Sequence, residues 1–150
     1  MCLSRVDIHT KHIKTGYKVL EKKQYKDMLG QMHCTYYTPY QGSTRQLDAG
    51  SWCDEKEYRP YKLRVSSLPL KLVTERGSAS YLCGFHIFVT RKGAETWIGT
   101  ANAGRLVVAK VSVKDCVASG TQLIRKNWHN IGFYRVVVAK QIKIEKEVAA

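Results

Sequence analysis

A short segment near the C-terminus combines cationic and aromatic side chains. The sequence RKNWHN, residues 125–130, places Trp128 and His129 beside Arg125 and Lys126. Cationic groups contact phosphates, and exposed aromatic rings stack on bases that a duplex has released. We therefore predict that these residues form an exposed contact loop. The sequence also allows another interpretation, in which Trp128 covers the hydrophobic core and the two cations are only solvated.

Basic residues on either side of this segment extend the candidate site. We expect these residues to contact nucleic acid or an acidic partner: Lys110, Lys114, Arg125, Lys126, Trp128, His129, Arg135 and Lys143. The chain carries 25 Lys and Arg against 12 Asp and Glu, a formal net charge of +13. A charge of this size attracts polyanions at long range and loses much of its effect as salt rises. General solubility, or neutralisation of neighbours in an assembly, explains the same charge.

The sequence supports a catalytic or metal site less than it supports a nucleic-acid contact site. Cys83 lies three residues before His86, and a thiolate beside an imidazole is one arrangement for nucleophilic catalysis. Residues three apart in a strand point to opposite faces, so the two side chains meet only if Gly84 introduces a bulge. We expect a buried His86 that is hydrogen-bonded to the backbone. The five cysteines contain no C-x-x-C pair, so we expect no disulfide framework, no structural zinc and no cofactor.

The length and hydropathy of the chain restrict its class. It has 150 residues and 44% hydrophobic residues, enough for the core of one domain. No run of about 18 apolar residues is present, and the first residues lack the apolar stretch of a signal peptide. We therefore expect a soluble, unsecreted protein of a reducing cytoplasm with no membrane partner. Residues 1–14 are expected to form a basic N-terminal arm.

Alternating apolar residues predict the strands that must position these groups. We predict strands within residues 15–23, 32–42, 61–73, 81–90, 105–120 and 134–148. Residues 43–60 predict only turns. A helix is expected from an N-cap at Thr90 to Gly104, with Ala94 and Trp97 on its apolar stripe. The pattern predicts a single α+β domain, mainly a twisted mixed or antiparallel sheet with one or two short helices.

Three of these segments carry a resemblance to a known group of proteins. The motifs GYKVL (residues 16–20), YYTPY (36–40) and GFHIF (84–88), followed by Ala94, Trp97 and two late valine-rich strands, resemble small uncharacterised proteins encoded by tailed bacteriophages. The resemblance covers most of residues 15–148. It implies a viral protein that acts in the host cytoplasm on host machinery or defence complexes, or one that is built into the virion.

The layout of the chain is similar, more weakly, to the core of mono-ADP-ribosyltransferases. Those enzymes use a glutamate on a late strand to polarise the ribose of bound NAD, whereas residues 133–136 here read FYRV and contain no carboxylate. The sequence therefore favours binding over catalysis. We predict a phage-encoded interaction protein whose basic face docks on nucleic acid, a nucleoprotein or an acidic protein surface, to inhibit a host defence complex. The alternatives are a degenerate NAD-binding enzyme and a virion component.

Overall fold

The computed structural model describes residues 2–39, 45–59, 70–100 and 105–148. Within these residues nine strands accompany one α-helix and one 3-10 turn. The strands are β1 (Arg5–Val6), β2 (Thr15–Lys26), β3 (Met32–Tyr37), β4 (Trp52–Asp54), β5 (Lys71–Val73), β6 (Ser80–Leu82), β7 (Phe85–Phe88), β8 (Leu106–Lys126) and β9 (His129–Glu147), with the 3-10 turn at Glu55–Tyr58 and the helix α1 at Arg91–Thr100.

The predicted fold class is confirmed in its coarse form. The described residues form one compact domain of mainly antiparallel sheet with one short helix, as expected, but the sheet predominates more than in a balanced α+β protein. Thr90 is the N-cap of α1, as predicted, because its Oγ1 accepts a hydrogen bond from the Gly93 N–H at 3.3 Å. The predicted helix end at Gly104 lies outside the described residues.

Strands β8 and β9 form one long hairpin that organises the sheet. They contain 21 and 19 residues and pair from Ala109 opposite Glu147 to Lys126 opposite His129. The sequence prediction cut this hairpin short, because residues 121–133 lack a clear alternation. The pairing register shifts at three points, one of them beside Asp115, whose φ is 56°. Such irregularities bend a long hairpin, so it curves around the core.

Strands β2 and β7 connect the two arms of this hairpin, so that β8, β2, β7 and β9 form a closed ring of paired strands. β2 pairs with the first part of β8, β9 pairs with β7, and β7 returns to β2 through Tyr17 opposite Phe88. Both faces of the ring are covered. Ala109 and Val111 belong to one buried cluster, while Val108 belongs to the other, together with Ala94 of α1. The sequence predicts the buried face with Ala109 and Val111, whereas Val108 was expected on a solvated, basic face and is instead buried.

Two predicted segments differ from the structure. The strand expected over residues 81–90 is divided into β6, which pairs with β5 in a two-stranded sheet, and β7, which pairs with β2 and β9. Glycine is needed at position 84 between them, because a Cβ there would lie 2.6 Å from the Ala139 carbonyl oxygen. Residues 45–59, expected to be turns, contain β4 and bury Leu47 and Tyr58 in the core. The alternation predicted at residues 61–69 lies outside the described residues.

The N-terminal segment packs along β8. Leu3 is fully buried, and β1 pairs with β8 through Arg5 opposite Thr121 and Val6 opposite Gly120. Glycine is required at position 120, because a Cβ there would lie 1.8 Å from the Arg5 carbonyl oxygen. The residues expected to form a basic arm are therefore held against the sheet beside the end of the long hairpin.

Candidate nucleic-acid interface

The turn between β8 and β9 presents Trp128 to solvent. Its side chain is 97% exposed, so it does not cover the core, and that interpretation is wrong. Asn127 and Trp128 have φ angles of 49° and 69°, the left-handed region that the tightest hairpin turns require. This region is unfavourable for a bulky residue such as tryptophan. The fold therefore holds an aromatic ring outward in a backbone conformation that core packing does not explain.

Basic residues occupy the last paired positions before the turn that carries Trp128. Lys126 is paired with His129 in the last register position before the turn, and both are exposed. Arg125 occupies the preceding position, where its Nε donates to Asn130 Oδ1 at 3.2 Å. We call Lys126, Trp128 and His129 the hairpin tip. The structure brings these three predicted site residues together, with Arg125 next to them.

A groove of about 290 Å³ begins beside the hairpin tip. Four segments that are distant in sequence build it. Its lining includes Ser4, Arg5, Glu75, Arg76, Arg125 and Phe133. We call it the arginine groove. Arg5 lies over the half-exposed Phe133 ring, with 5.7 Å between its Cζ and the ring centroid. Sequence analysis identified only Arg125 in this set, because the other residues are isolated in the sequence.

Hydrogen bonds fix the shape of the arginine groove. The turn between β5 and β6 is held by Thr74, whose Oγ1 accepts from the N–H groups of Ser78 and Ala79 at 3.1 and 3.2 Å. The Glu75 N–H donates to the Leu3 carbonyl at 3.1 Å, and the Leu123 N–H donates to Ser4 Oγ at 2.8 Å. The groove is therefore a preformed part of the fold.

Three other predicted site residues lie on a separate part of the long hairpin. Lys114 and Lys143 both approach the ring of Trp52 on β4, with Nζ 3.9 and 5.5 Å from its centroid. Lys110 lies two positions before Ser112, which is paired with Lys143 across the hairpin. These residues are more than ten positions along β8 from the hairpin tip. The predicted site thus consists of two clusters.

Arg135, the eighth predicted residue, is engaged in an ion pair. Its Nη2 lies 2.9 Å from Asp7 Oδ2. A hydrogen bond from the Ser119 hydroxyl, followed by the contact with Arg135, lowers the pKa of Asp7 below its usual value. Arg125 is likewise paired with Glu75. Both arginines therefore attach neighbouring segments to the hairpin, and less of the basic surface is unpaired than the sequence suggested.

His86 is buried away from Cys83. Its Nε2 is 3.0 Å from the Tyr81 hydroxyl, which accepts a hydrogen bond from the Leu3 N–H at 2.9 Å. Burial, with the nearby charge of Lys18, lowers the pKa of His86 to about 3, so the imidazole is neutral. The prediction of a buried histidine is confirmed, and its partners include a tyrosine as well as the Gly84 backbone.

Cys83 is held in a different polar cluster. Its Sγ donates to Glu55 Oε1 at 3.2 Å, and burial raises the pKa of the thiol to about 12. Glu55 also binds the guanidinium of Arg59 through contacts of 2.6 to 2.9 Å. A protonated thiol is a poor nucleophile. The Cys83 and His86 side chains therefore form no catalytic pair.

Lys18 is an unusual buried charge that the sequence did not single out. It is only 4% exposed, and desolvation lowers the pKa of its amine to about 8. Among the described residues it has no hydrogen-bond or ion-pair partner. Lys140 of β9, by contrast, donates to the Cys83 carbonyl at 2.6 Å.

Searches for other kinds of site are negative over the described part of the chain. No group of three or more His, Cys, Asp or Glu side chains is placed to hold a metal ion. Within the same residues, the helix is too short and too polar to cross a membrane. Comparison of the chain with protein-family models, curated proteins and solved structures finds no match.

Proposed function

We propose that this protein is a non-catalytic interaction protein that binds single-stranded nucleic acid through the hairpin tip. The observation that carries the proposal is the fully exposed Trp128, held outward beside Lys126 and the arginine groove. Stacking on such a ring is sequence-tolerant because every base has an aromatic face. The neighbouring cations contribute the electrostatic attraction to phosphates.

The basic cluster around Trp52 adds long-range attraction. Lys114 and Lys143 already lie over that ring, so it is less accessible for stacking than Trp128. Charges on the same curved hairpin still raise the local concentration of a polyanion. Together with the phage resemblance, this supports a protein that occupies nucleic acid, or a nucleoprotein complex, in the host cytoplasm, including a host defence complex.

The test is fluorescence anisotropy with labelled single-stranded and double-stranded DNA and RNA of one sequence, from low to 0.15 M salt. We expect tighter binding of single strands, with a linear dependence of log affinity on log salt. Trp128→Gly should weaken binding by roughly 5- to 150-fold, the range for loss of one base stack. Lys126→Ala should reduce affinity and the salt slope together.

Asn127→Gly is the matched control for Trp128→Gly. Both substitutions place glycine at a positive φ in the same turn, and the backbone cost that they relieve is larger at Trp128 than at Asn127. Only one of them removes the ring. Equal affinity in both variants and the natural protein would refute stacking at Trp128. Charge reversal at Arg125 or Arg135 is a poor test, because each would set a new carboxylate against Glu75 or Asp7.

A further inference from the structure

The arginine groove carries an excess of two positive charges. Arg5, Arg76 and Arg125 contribute three cations, and Glu75 contributes one anion. A phosphodiester inside a nucleic-acid strand has one negative charge, whereas a terminal phosphate monoester approaches two at neutral pH. The charge of the groove therefore matches a strand end better than an internal position.

The guanidinium groups in the groove retain unused donors. Arg76 makes no ion pair or side-chain hydrogen bond with the residues that the structure describes. Arg125 uses Nε for Asn130 and Nη1 for Glu75, which leaves three of its five N–H groups. Arg5 contacts the Phe133 ring through its face. Planar guanidinium groups are suited to bind several phosphate oxygens together.

The ion pair between Glu75 and Arg125 preorganises the groove. Glu75 also accepts a hydrogen bond from the Ser4 hydroxyl at 3.1 Å, so its carboxylate is fixed on one side. This arrangement orients Arg125 without using all of its donors. The turn held by Thr74 also carries Arg76, which lines the same groove. A ligand therefore meets groups that are already in place.

We propose that the arginine groove binds the terminal phosphate monoester of a nucleic-acid strand whose adjoining bases extend toward Trp128. The proposal rests on the proposed function and adds a preference for phosphorylated strand ends. The path is short, because Arg125 is a groove residue and lies three positions before Trp128. The groove volume of about 290 Å³ accommodates a phosphate with part of its sugar.

The experiment compares three single-stranded oligonucleotides of identical sequence and internal label. They carry a 5′-phosphate, a 3′-phosphate, or hydroxyl groups at both ends. We expect at least one phosphorylated form to bind about tenfold more tightly than the hydroxyl form, as one additional charge-assisted contact gives. Arg76→Gln should remove this preference, while it should weaken binding of the hydroxyl form no more than Arg105→Gln does, because each variant loses one surface cation. Arg105→Gln, an exposed arginine outside the groove, is the matched control and should preserve the preference.

The pH dependence adds a second readout. The second pKa of a phosphate monoester is about 6, so the preference should shrink as the pH falls from 7.5 to 5. The hydroxyl form has no such group and should show no matching change. A preference that persists undiminished at pH 5 would contradict recognition of the dianion.

The outcomes distinguish this inference from the proposed function. Equal affinity for all three oligonucleotides, with Trp128→Gly still weakening binding, would overturn the end preference alone. Absence of binding to every oligonucleotide would overturn the proposed function and this inference together. A phosphoserine peptide that binds more tightly than any oligonucleotide would overturn the assignment to nucleic acid and indicate a protein ligand for the groove.

Discussion

Glu75 and Arg125, 50 residues apart in the chain, form an ion pair that connects the β5–β6 turn to the end of the long hairpin. The same turn is bonded to the N-terminal segment through Leu3 and Ser4. The position of the hairpin tip is therefore coupled to the docking of the first few residues. Any change that releases the N-terminal segment should also disturb the arginine groove.

Gly120→Ala provides a direct test of that coupling. The new Cβ would collide with the Arg5 carbonyl, so β1 must separate from β8 and expose Leu3. Loss of a fully buried leucine alone is worth about 1.5 to 3 kcal/mol, and we expect the free energy of unfolding to fall by at least that amount. Urea denaturation measures this change. Hydrogen exchange should show faster exchange at the Ser4 and Asp7 amides, which bond to β8.

Gly99→Ala is the control for Gly120→Ala. Gly99 lies in α1, where a Cβ would meet no atom within 4 Å. Alanine in a helix is favoured over glycine by about 0.5 to 1 kcal/mol, so this variant should be slightly more stable than the natural protein. If Gly120→Ala also retained natural stability and exchange protection, β1 would not hold the N-terminal segment in place.

The pH dependence of stability should report the buried His86. Its pKa is about 3 in the folded protein and about 6.5 in the unfolded chain. Below pH 6.5 the unfolded chain therefore binds a proton that the folded protein does not bind. The contribution of the neutral His86 to the free energy of unfolding is complete above pH 6.5 and is lost as the pH falls toward 3. From pH 6.5 to 4.5 the loss should reach about 2 to 3 kcal/mol.

Denaturant titrations at several pH values separate His86 from the other titrating groups. His86→Gln keeps a hydrogen-bond acceptor near Tyr81 but cannot bind the proton, so its stability should fall less steeply over the same interval. His129→Gln makes the same substitution at an exposed histidine of the hairpin tip and is the control. If the free energy of unfolding fell equally steeply with pH in His86→Gln and in the natural protein, His86 would be accessible to protons in the folded state.

The sequence predicted most strands because their side chains alternate locally. It also predicted the N-cap Thr90. For Trp128 it left two interpretations open, an exposed contact loop and burial against the core, and the structure shows an exposed ring. It could not predict the length of the long hairpin, since register shifts such as the one between Cys116 and Ala118 interrupt the alternation. It also assigned Arg135 to the contact surface. Its partner Asp7 lies 128 residues away, and a local pattern contains no information about such a pair.

The arginine groove was missed for the same physical reason. Ser4, Arg76 and Phe133 come from segments that the sheet brings together, and none belongs to a recognisable motif. Gly77 has a φ of 67°, and the exposed Arg76 lies beside it in the turn. A glycine beside a basic residue was the one local signal for an accessible cation there, and it was not used; it contains no information on which other residues surround that cation.

The buried pair of Glu55 and Arg59 should be sensitive to removal of either partner. Their side chains are only 3% and 9% exposed, and Glu55 also accepts from the Cys83 thiol. Glu55→Ala would leave the guanidinium without its main partner, and we expect a loss of about 3 to 5 kcal/mol in the free energy of unfolding. Glu95→Ala breaks the exposed pair with Arg91 at the same sequence spacing and should cost less than about 0.5 kcal/mol.

A double variant separates the cost of an unpaired charge from the value of the pair. If burial of the lone guanidinium causes the loss, replacing both residues, as in Glu55→Met with Arg59→Met, should recover most of the stability lost in Glu55→Ala, because no charge then remains without a partner. Chemical denaturation of both variants and the natural protein gives the comparison. A double variant as unstable as Glu55→Ala would instead mean that the ion pair itself, with its bond to Cys83, stabilises the 3-10 turn against β7 and β9.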